Sequence, residues 1–376
     1  MQSPTLDERL AGVLAAASEH AASVDAEGRY PVEAVGELRR SGLMGLTLAS
    51  ETGGLGGSPR DFVEAVSRIA AACGSTAMVY LMHVSALMPI AAAPPSGQPD
   101  LVREVASGTK LGTLAFSERG SRSHFWAPVS RQAGSDGSIS VKTNKSWVTS
   151  ADHADILVCS TLTAAGGRTD SDLFAVPRGT AGISAGGEWR GMGMRGNDSR
   201  PLDIDVSIPA TWRLGAPGDG FRLMTESVLP WFNLGNAAVS LGLAGAAVDS
   251  AVAHCTGSRF DHLGETLADL ATIRAQLARM HIRVDVTRTY LHAVAESLAH
   301  ADATVPLRVL ACKAWANDAA LEITDSAMRV CGGAAFSQQL AVDRFFRDAR
   351  AGHVMAPTAD VLYELYGRAI TGKPLF

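Results

Sequence analysis

The order of patterns along the chain predicts an α+β protein with an N-terminal helical domain, a middle antiparallel β domain and a C-terminal helical bundle. Three observations carry this. Apolar residues recur at helical spacing up to about residue 110. Short alternating runs between polar and glycine turns then fill about 111–213. Long heptad-like patterns occupy the remainder. The expected boundaries are 1–112, 113–214 and 215–376.

In the first part, Val32, Val35, Leu38 and Leu43 fall at helical spacing, and Gly42 fits the residue that ends the helix. "ETGGLGGSPRD" (51–61) is a glycine-rich loop, after which Ser58 and Pro59 suit the N-cap and first turn of the next helix. In the middle part "PLDIDVSIP" gives the clearest strand: Leu202, Ile204, Val206 and Ile208 alternate with Asp203, Asp205 and Ser207. "SISVKT", "DILVCSTL" and "DLFAVP" read as further strands. In the last part Leu270, Leu277, Val284, Leu291 and Leu298 repeat every seven residues, with Ile273, Met280 and Val294 three later. That is the seam of a helical bundle, and more helices are expected at 305–330 and 357–371.

The 376 residues are 47% hydrophobic and carry a net charge of −5, with lysine and arginine dispersed. A basic face for nucleic acid is therefore not expected. Five separated cysteines suggest neither a disulfide framework nor a metal site, and the ten histidines show no metal-ligand spacing. The start "MQSPTLDERLAG" lacks the pattern of a signal peptide. The apolar stretch Met78 to Ala93 is interrupted by His83 and Ser85 and reads as too short to span a bilayer. A cytoplasmic enzyme with no membrane partner is the expectation.

Four stretches carry chemistry. "LAFSERGSRSHFWAP" (114–128) is a Ser- and Gly-rich turn. "NKSWVTSADHAD" (144–155) places a tryptophan and a threonine on a strand. "RFDHLGETLADLATIRAQLARM" (259–280) leads into a long helix. "MRVCGGAAFSQQLAVDRFFRDAR" (328–350) joins a double glycine to a charged run. In this order and spacing they resemble the acyl-CoA dehydrogenases, and "WRGMGMRGNDSRPLDIDVSIP" (189–209) adds a weaker likeness.

The resemblance implies an acyl-CoA dehydrogenase-like fold, its C-terminal domain a four-helix bundle, and an FAD flavoprotein acting on an acyl thioester or related small molecule. Phe116, Ser117, Arg122 and Ser123 would meet the flavin's pyrimidine edge and pyrophosphate, with Trp147 over the ring and Thr149 near N5. Arg329, Gly332 and Gly333 would serve the adenine half of a neighbouring subunit's FAD. Arg259 would join them, although the family's arginine position itself falls on Phe260. Thr358 and Asp360 stand like cofactor-side contacts. The departures at Phe260 and Arg329 leave FMN as an alternative. A homodimer or homotetramer is implied, with an electron-transfer flavoprotein, a flavin reductase or O₂ as redox partner.

The family's mechanism needs a carboxylate base, worth roughly 10²–10⁴-fold. The usual position is Ala356 here, within "RFFRDARAGHVMAPTAD" (344–360), and the alternative position is Phe232. Neither can take a proton. Relocated candidates are His83, Glu226 and His353. The pocket would be walled by His83, Trp231, Phe232, Met355 and Ala356. That apolar wall would also suit a monooxygenase using reduced flavin and O₂. A non-catalytic flavin-binding subunit is the third reading.

Overall fold

The computed structural model describes residues 4–375, except 123, 136 and 168. Its first layer is helical: α1 (Leu6–Glu27), α2 (Val32–Arg40), α3 (Pro59–Ala72), α4 (Gly74–Ala92) and α5 (Leu101–Ala106). Local chemistry sets their ends. Thr5 and Glu8 form a reciprocal capping box at α1, and Ser58 and Asp61 form another at α3, with Pro59 in its first turn. Gly42 follows α2 at φ +77, the left-handed conformation expected at a helix exit.

The apolar segment is longer than the sequence suggested. Helix α4 begins at Gly74 and is 19 residues long, enough by length and composition to cross a membrane, as is the continuous helical stretch Gly220–Gly257. Most of each lies buried inside the protein, so both serve as core helices.

The middle layer holds β1 (Gly112–Ala115), β2 (Ala133–Ser135), β3 (Ser138–Val148), β4 (Ile156–Leu162), β5 (Ser171–Pro177), β6 (Ile183–Ala185), β7 (Arg200–Pro209) and β8 (Arg213–Leu214). They form two four-stranded sheets, ordered β1-β4-β5-β8 and β2-β3-β7-β6. One pairing departs from the antiparallel expectation: β1 runs parallel to β4. Between them the chain leaves this sheet, forms β2 and β3 of the other, and returns, which is the crossover a parallel pair needs. Leu202, Ile204, Val206 and Ile208 of β7 are buried as the alternation required.

The last layer begins with α6 (Gly220–Arg222) and a π-turn at Leu223–Val228 and continues into α7 (Leu229–Gly257). A small hairpin of β9 (Arg259–Phe260) and β10 (Glu265–Thr266) precedes α8 (Ala271–His300). Then come α9 (Val305–Cys331), α10 (Gly333–Phe336), α11 (Val342–Val354) and α12 (Ala359–Ile370). On α8 the heptad residues Met280, Val284, Leu291 and Val294 are buried, whereas Leu270 precedes the helix and is 38% exposed. The charged run ending at Arg350 is the body of α11, and the apolar residues after it form the turn into α12.

Candidate functional site

The two segments expected to meet a flavin are tied together by a buried ion pair. Strand β3 alternates inward at Ile139, Val141, Thr143 and Lys145, so a lysine occupies the apolar phase. Its ammonium meets the Glu118 carboxylate, and the two side chains are 0% and 2% exposed. Lys145 Nζ also donates to Ser160 O at 2.6 Å. Glu118 accepts from Val129 N at 2.9 Å, Ser130 N at 2.7 Å and Ser130 Oγ at 2.6 Å. Burial raises the Glu118 carboxyl, but Lys145 and the Ser130 donors outweigh it and hold the group below its ordinary value. A backbone bond from Ser146 N to Ser117 O at 2.8 Å completes the joint.

Beyond Lys145 the β3–β7 register slips before Val148. The bulge places Trp147 at φ +56 and turns its indole out, 67% exposed, with Trp189 edge-on at 6.0 Å. Thr149 is buried: its Oγ1 pairs with Ser199 Oγ at 2.9 Å, and its carbonyl accepts from Thr113 Oγ1 at 2.8 Å. Its hydroxyl is thus already paired inside the protein, and its carbonyl ties the end of β3 to β1. Nearby Asn197 Oδ1 is buried without a hydrogen-bond partner. Among the residues expected at the flavin edge, Phe116 is buried and stacks on Phe125 at 5.8 Å. Arg122 takes φ +37, and its carbonyl bonds the His124 ring at 2.6 Å. Ser123 lies outside the described residues.

Phe125 links this segment to α7, meeting Phe232 at 6.2 Å between ring centroids. Phe232 and Asn236 lie one turn apart on α7, and Met355 Sδ rests 3.8 Å from Asn236 Nδ2. Phe232, Met355 and the adjoining Ala356 are thus gathered on one side. Trp231 points instead toward α3, edge-on to Phe62 at 5.6 Å. An uncovered indole, an orphaned buried oxygen and a neighbouring aromatic wall suit a planar aromatic cofactor with polar edges such as FAD.

None of the three relocated bases stands at Ala356 or Phe232. His83 is fully buried and accepts from Gly112 N at 3.1 Å through Nδ1, in the joint between α4 and β1. Burial pushes its imidazolium down to about 4. It is a core residue and not a pocket wall. Glu226 is on a solvated helix face, 66% exposed, and pairs loosely with Arg222 at 3.6 Å. His353 is half-buried and turns toward α9 and α12. There its Nδ1 lies 3.4 Å from Asp318 Oδ1, while Tyr363 donates to Asp318 Oδ2 at 2.7 Å.

The expected adenine contacts form a separate set. Gly332 (φ +54, ψ −132) and Gly333 are exposed at the end of α9, and only glycine adopts the Gly332 conformation without strain. Arg329 lines a groove with Arg279, Arg283, Ile282, Val286 and Trp315. Arg259 is exposed on the β9–β10 hairpin. Gly332 lies 19 residues beyond Lys313, which touches the turn carrying Ala356, so the two sets stand roughly 28 Å apart along α9. The resemblance assigned Arg329, Gly332 and Gly333 to a neighbouring subunit's cofactor, and within one chain they stand apart from the Ala356 turn. Thr358 caps α12 without a side-chain bond, and Asp360 is exposed in its first turn.

Sequence reasoning missed Glu118, Asp348 and Lys313. Asp348 is buried in α11 and accepts from Met194 N at 2.6 Å, joining the bundle to the β domain. The available signal was a charged residue on the apolar phase of an element, as at Lys145. Among the described residues, no group of three or more His, Cys, Asp or Glu is placed to hold a metal ion.

Comparison with known proteins agrees with this architecture. Family models for the acyl-CoA dehydrogenase N-terminal, middle and C-terminal domains match residues 9–106, 113–206 and 218–371. A probable acyl-CoA dehydrogenase, YngJ of Bacillus subtilis, is 26% identical across 91% of this chain and 90% of its own length. The mitochondrial short-chain specific acyl-CoA dehydrogenase of Bos taurus is 28% identical across 91% and 83%. The structure of butyryl-CoA dehydrogenase from Megasphaera elsdenii superposes with a TM-score of 0.91, at 24% identity, over 99% of this chain and 100% of that one. With all three domains matched in order, this chain belongs to the acyl-CoA dehydrogenase family.

Proposed function

We propose that the protein is an FAD-dependent oxidoreductase that oxidises an acyl thioester or a related small molecule without the family's usual carboxylate. The observation that carries this is Trp147, an indole held outward by a β-bulge and anchored by the Lys145–Glu118 pair. When bound, FAD would supply the two-electron acceptor for a hydride from the carbon β to the thioester carbonyl, while a base of this chain takes the α proton and a C=C bond forms. Trp147 and the backbone around Ser117 would hold the ring, while the wall of Phe232, Phe125 and Met355 keeps water out. Reoxidation would fall to an electron-transfer flavoprotein or O₂. The exposed Arg329–Gly333 set supports a homodimer or homotetramer in which a second copy completes the adenine end.

Of the three relocated bases, His353 retains the chemistry for the role. It is half-buried, lies three residues before Ala356, and has the Asp318 carboxylate 3.4 Å from Nδ1. Anaerobic mixing of the FAD-loaded protein with a panel of acyl-CoAs should bleach the flavin band. His353→Ala should slow that bleaching by about 10²–10⁴-fold. Undiminished bleaching in the variant would remove His353 from the mechanism.

The apolar character of Ala356 and Phe232 favours one second reading, a monooxygenase fed by a flavin reductase. No bleaching by any thioester, together with oxygenated product formed from reduced flavin and O₂, would select it.

A further inference from the structure

The turn that carries Ala356 is gripped from beneath by one buried ammonium. Lys313 on α9 is fully buried. Its Nζ donates to Gly352 O at 3.1 Å, Met355 O at 3.0 Å and Pro357 O at 2.7 Å. In the protonated form three N–H donors meet three carbonyl acceptors, no carboxylate is among these partners, and burial pushes the group down to about 7. Asn317, one turn further along α9, donates to the same Gly352 carbonyl at 2.8 Å, and Ser240 of α7 donates to Asn317 Oδ1 at 2.8 Å. The arrangement is costly. A charge held only by carbonyl dipoles in the core is less favourable than an apolar side chain of similar volume. Packing of α9 alone gives no reason for it.

The choice of carbonyls is informative. Two belong to Met355 and Pro357, the residues on either side of Ala356. Fixing both neighbours fixes the direction of the residue between them. Met355 is thereby laid against Asn236 on the Phe232 face of α7, and Ala356 is left half-buried. This short connection between α11 and α12 would otherwise have only two bounding helix ends to hold it. The Met355 amide bonds Ala351 O at 3.0 Å, and Thr358 makes no side-chain cap.

We propose that Lys313 is a positioning residue for the reaction: its ammonium locks the 352–358 turn so that Met355 and Ala356 present a fixed surface to the substrate. This rests on the functional reading above, since it supposes that substrate is oxidised beside that turn. Lys313 is fully buried and would act through the turn it holds. Misplacement of about 1 Å at a reacting centre costs around 10²-fold in rate, which sets the size of the effect.

The test compares wild type with Lys313→Met, which removes all three donors, and Lys313→Gln, which keeps an uncharged donor. Each is loaded with FAD and examined in two ways. Amide hydrogen exchange over residues 353–362 should rise by about tenfold or more in Lys313→Met and less in Lys313→Gln, with α8 unchanged. The limiting rate of anaerobic flavin reduction by an acyl-CoA should fall by about 10²-fold while its apparent dissociation constant stays within about threefold. Exchange at the turn within about twofold of wild type in both variants would overturn the proposal, as would an equal rise throughout α8 and α9. If Lys313→Met does not fold, Lys313→Gln decides alone. Failure of every thioester to bleach the wild-type flavin would overturn the functional reading instead, and the exchange measurement would still judge Lys313.

Discussion

Replacing Lys145 with Met probes the joint between the two segments proposed to hold the flavin. Glu118 adjoins Ser117, and Lys145 lies two residues before Trp147. Breaking a buried pair by removing one partner typically costs about 3–5 kcal/mol. The structure places the two single variants at opposite ends of that range. In Lys145→Met the Glu118 carboxylate keeps three donors, from Val129 N, Ser130 N and Ser130 Oγ, so the loss should be about 3 kcal/mol. In Glu118→Gln the Lys145 ammonium keeps only the Ser160 carbonyl and hydroxyl, at 2.6 and 3.3 Å, so the loss should approach about 5 kcal/mol. The double variant should lose less than the sum of the singles, because neither charge is then left alone. Urea unfolding followed by tryptophan fluorescence measures all three, and the flavin-to-protein absorbance ratio should fall with them. The pH dependence has a definite sign. The folded Glu118 carboxyl sits below its ordinary 4.5, so its contribution is present above that pH and is lost as pH falls through the folded value. A loss under about 1 kcal/mol in Lys145→Met, the range of an exposed pair, would refute the reasoning.

Other outcomes follow from particular contacts. Burial raises Asp348 from 3.8 to about 6, opposed by the Met194 amide. The folded state therefore holds the proton more tightly than the unfolded one, and stability falls as pH rises from about 4 to about 6. Asp348→Asn should remove this, so that its stability relative to wild type climbs by about 3 kcal/mol between pH 4 and pH 8; a flat difference in denaturant midpoints would contradict it. In α7 a Cβ on Gly242 would lie 2.0 Å from Ser67 O of α3, whereas one on Gly245 meets only Val284 Cγ1 at 4.0 Å. Gly242→Ala should therefore cost about 3 kcal/mol or more, and Gly245→Ala should be neutral or stabilising by up to about 1 kcal/mol, both read by thermal or urea unfolding.

Much of the architecture is legible in the amino-acid order because it depends on local chemistry. The capping boxes at Thr5 and Ser58, the alternation along β7 and the heptads of α8 each need only a few residues to be recognised. That Ala356 cannot serve as a base is equally local, since a methyl group has no proton-accepting atom wherever the chain places it. What the sequence could not decide was which charges are spent inside the fold. Glu118 and Lys145 are 27 residues apart, Lys313 and Pro357 are 44 apart, and Asp348 and Met194 are 154 apart. Such pairs form only when separate elements pack, and burial then makes each unpaired member costly enough to enforce the contact. The same packing put His83 in the core, turned Glu226 to solvent, and set Gly332 far along α9 from Ala356. A side chain's chemistry is carried by the sequence; whether it faces a substrate, a partner or the core is decided by the tertiary structure, because only packing sets distance and access to water.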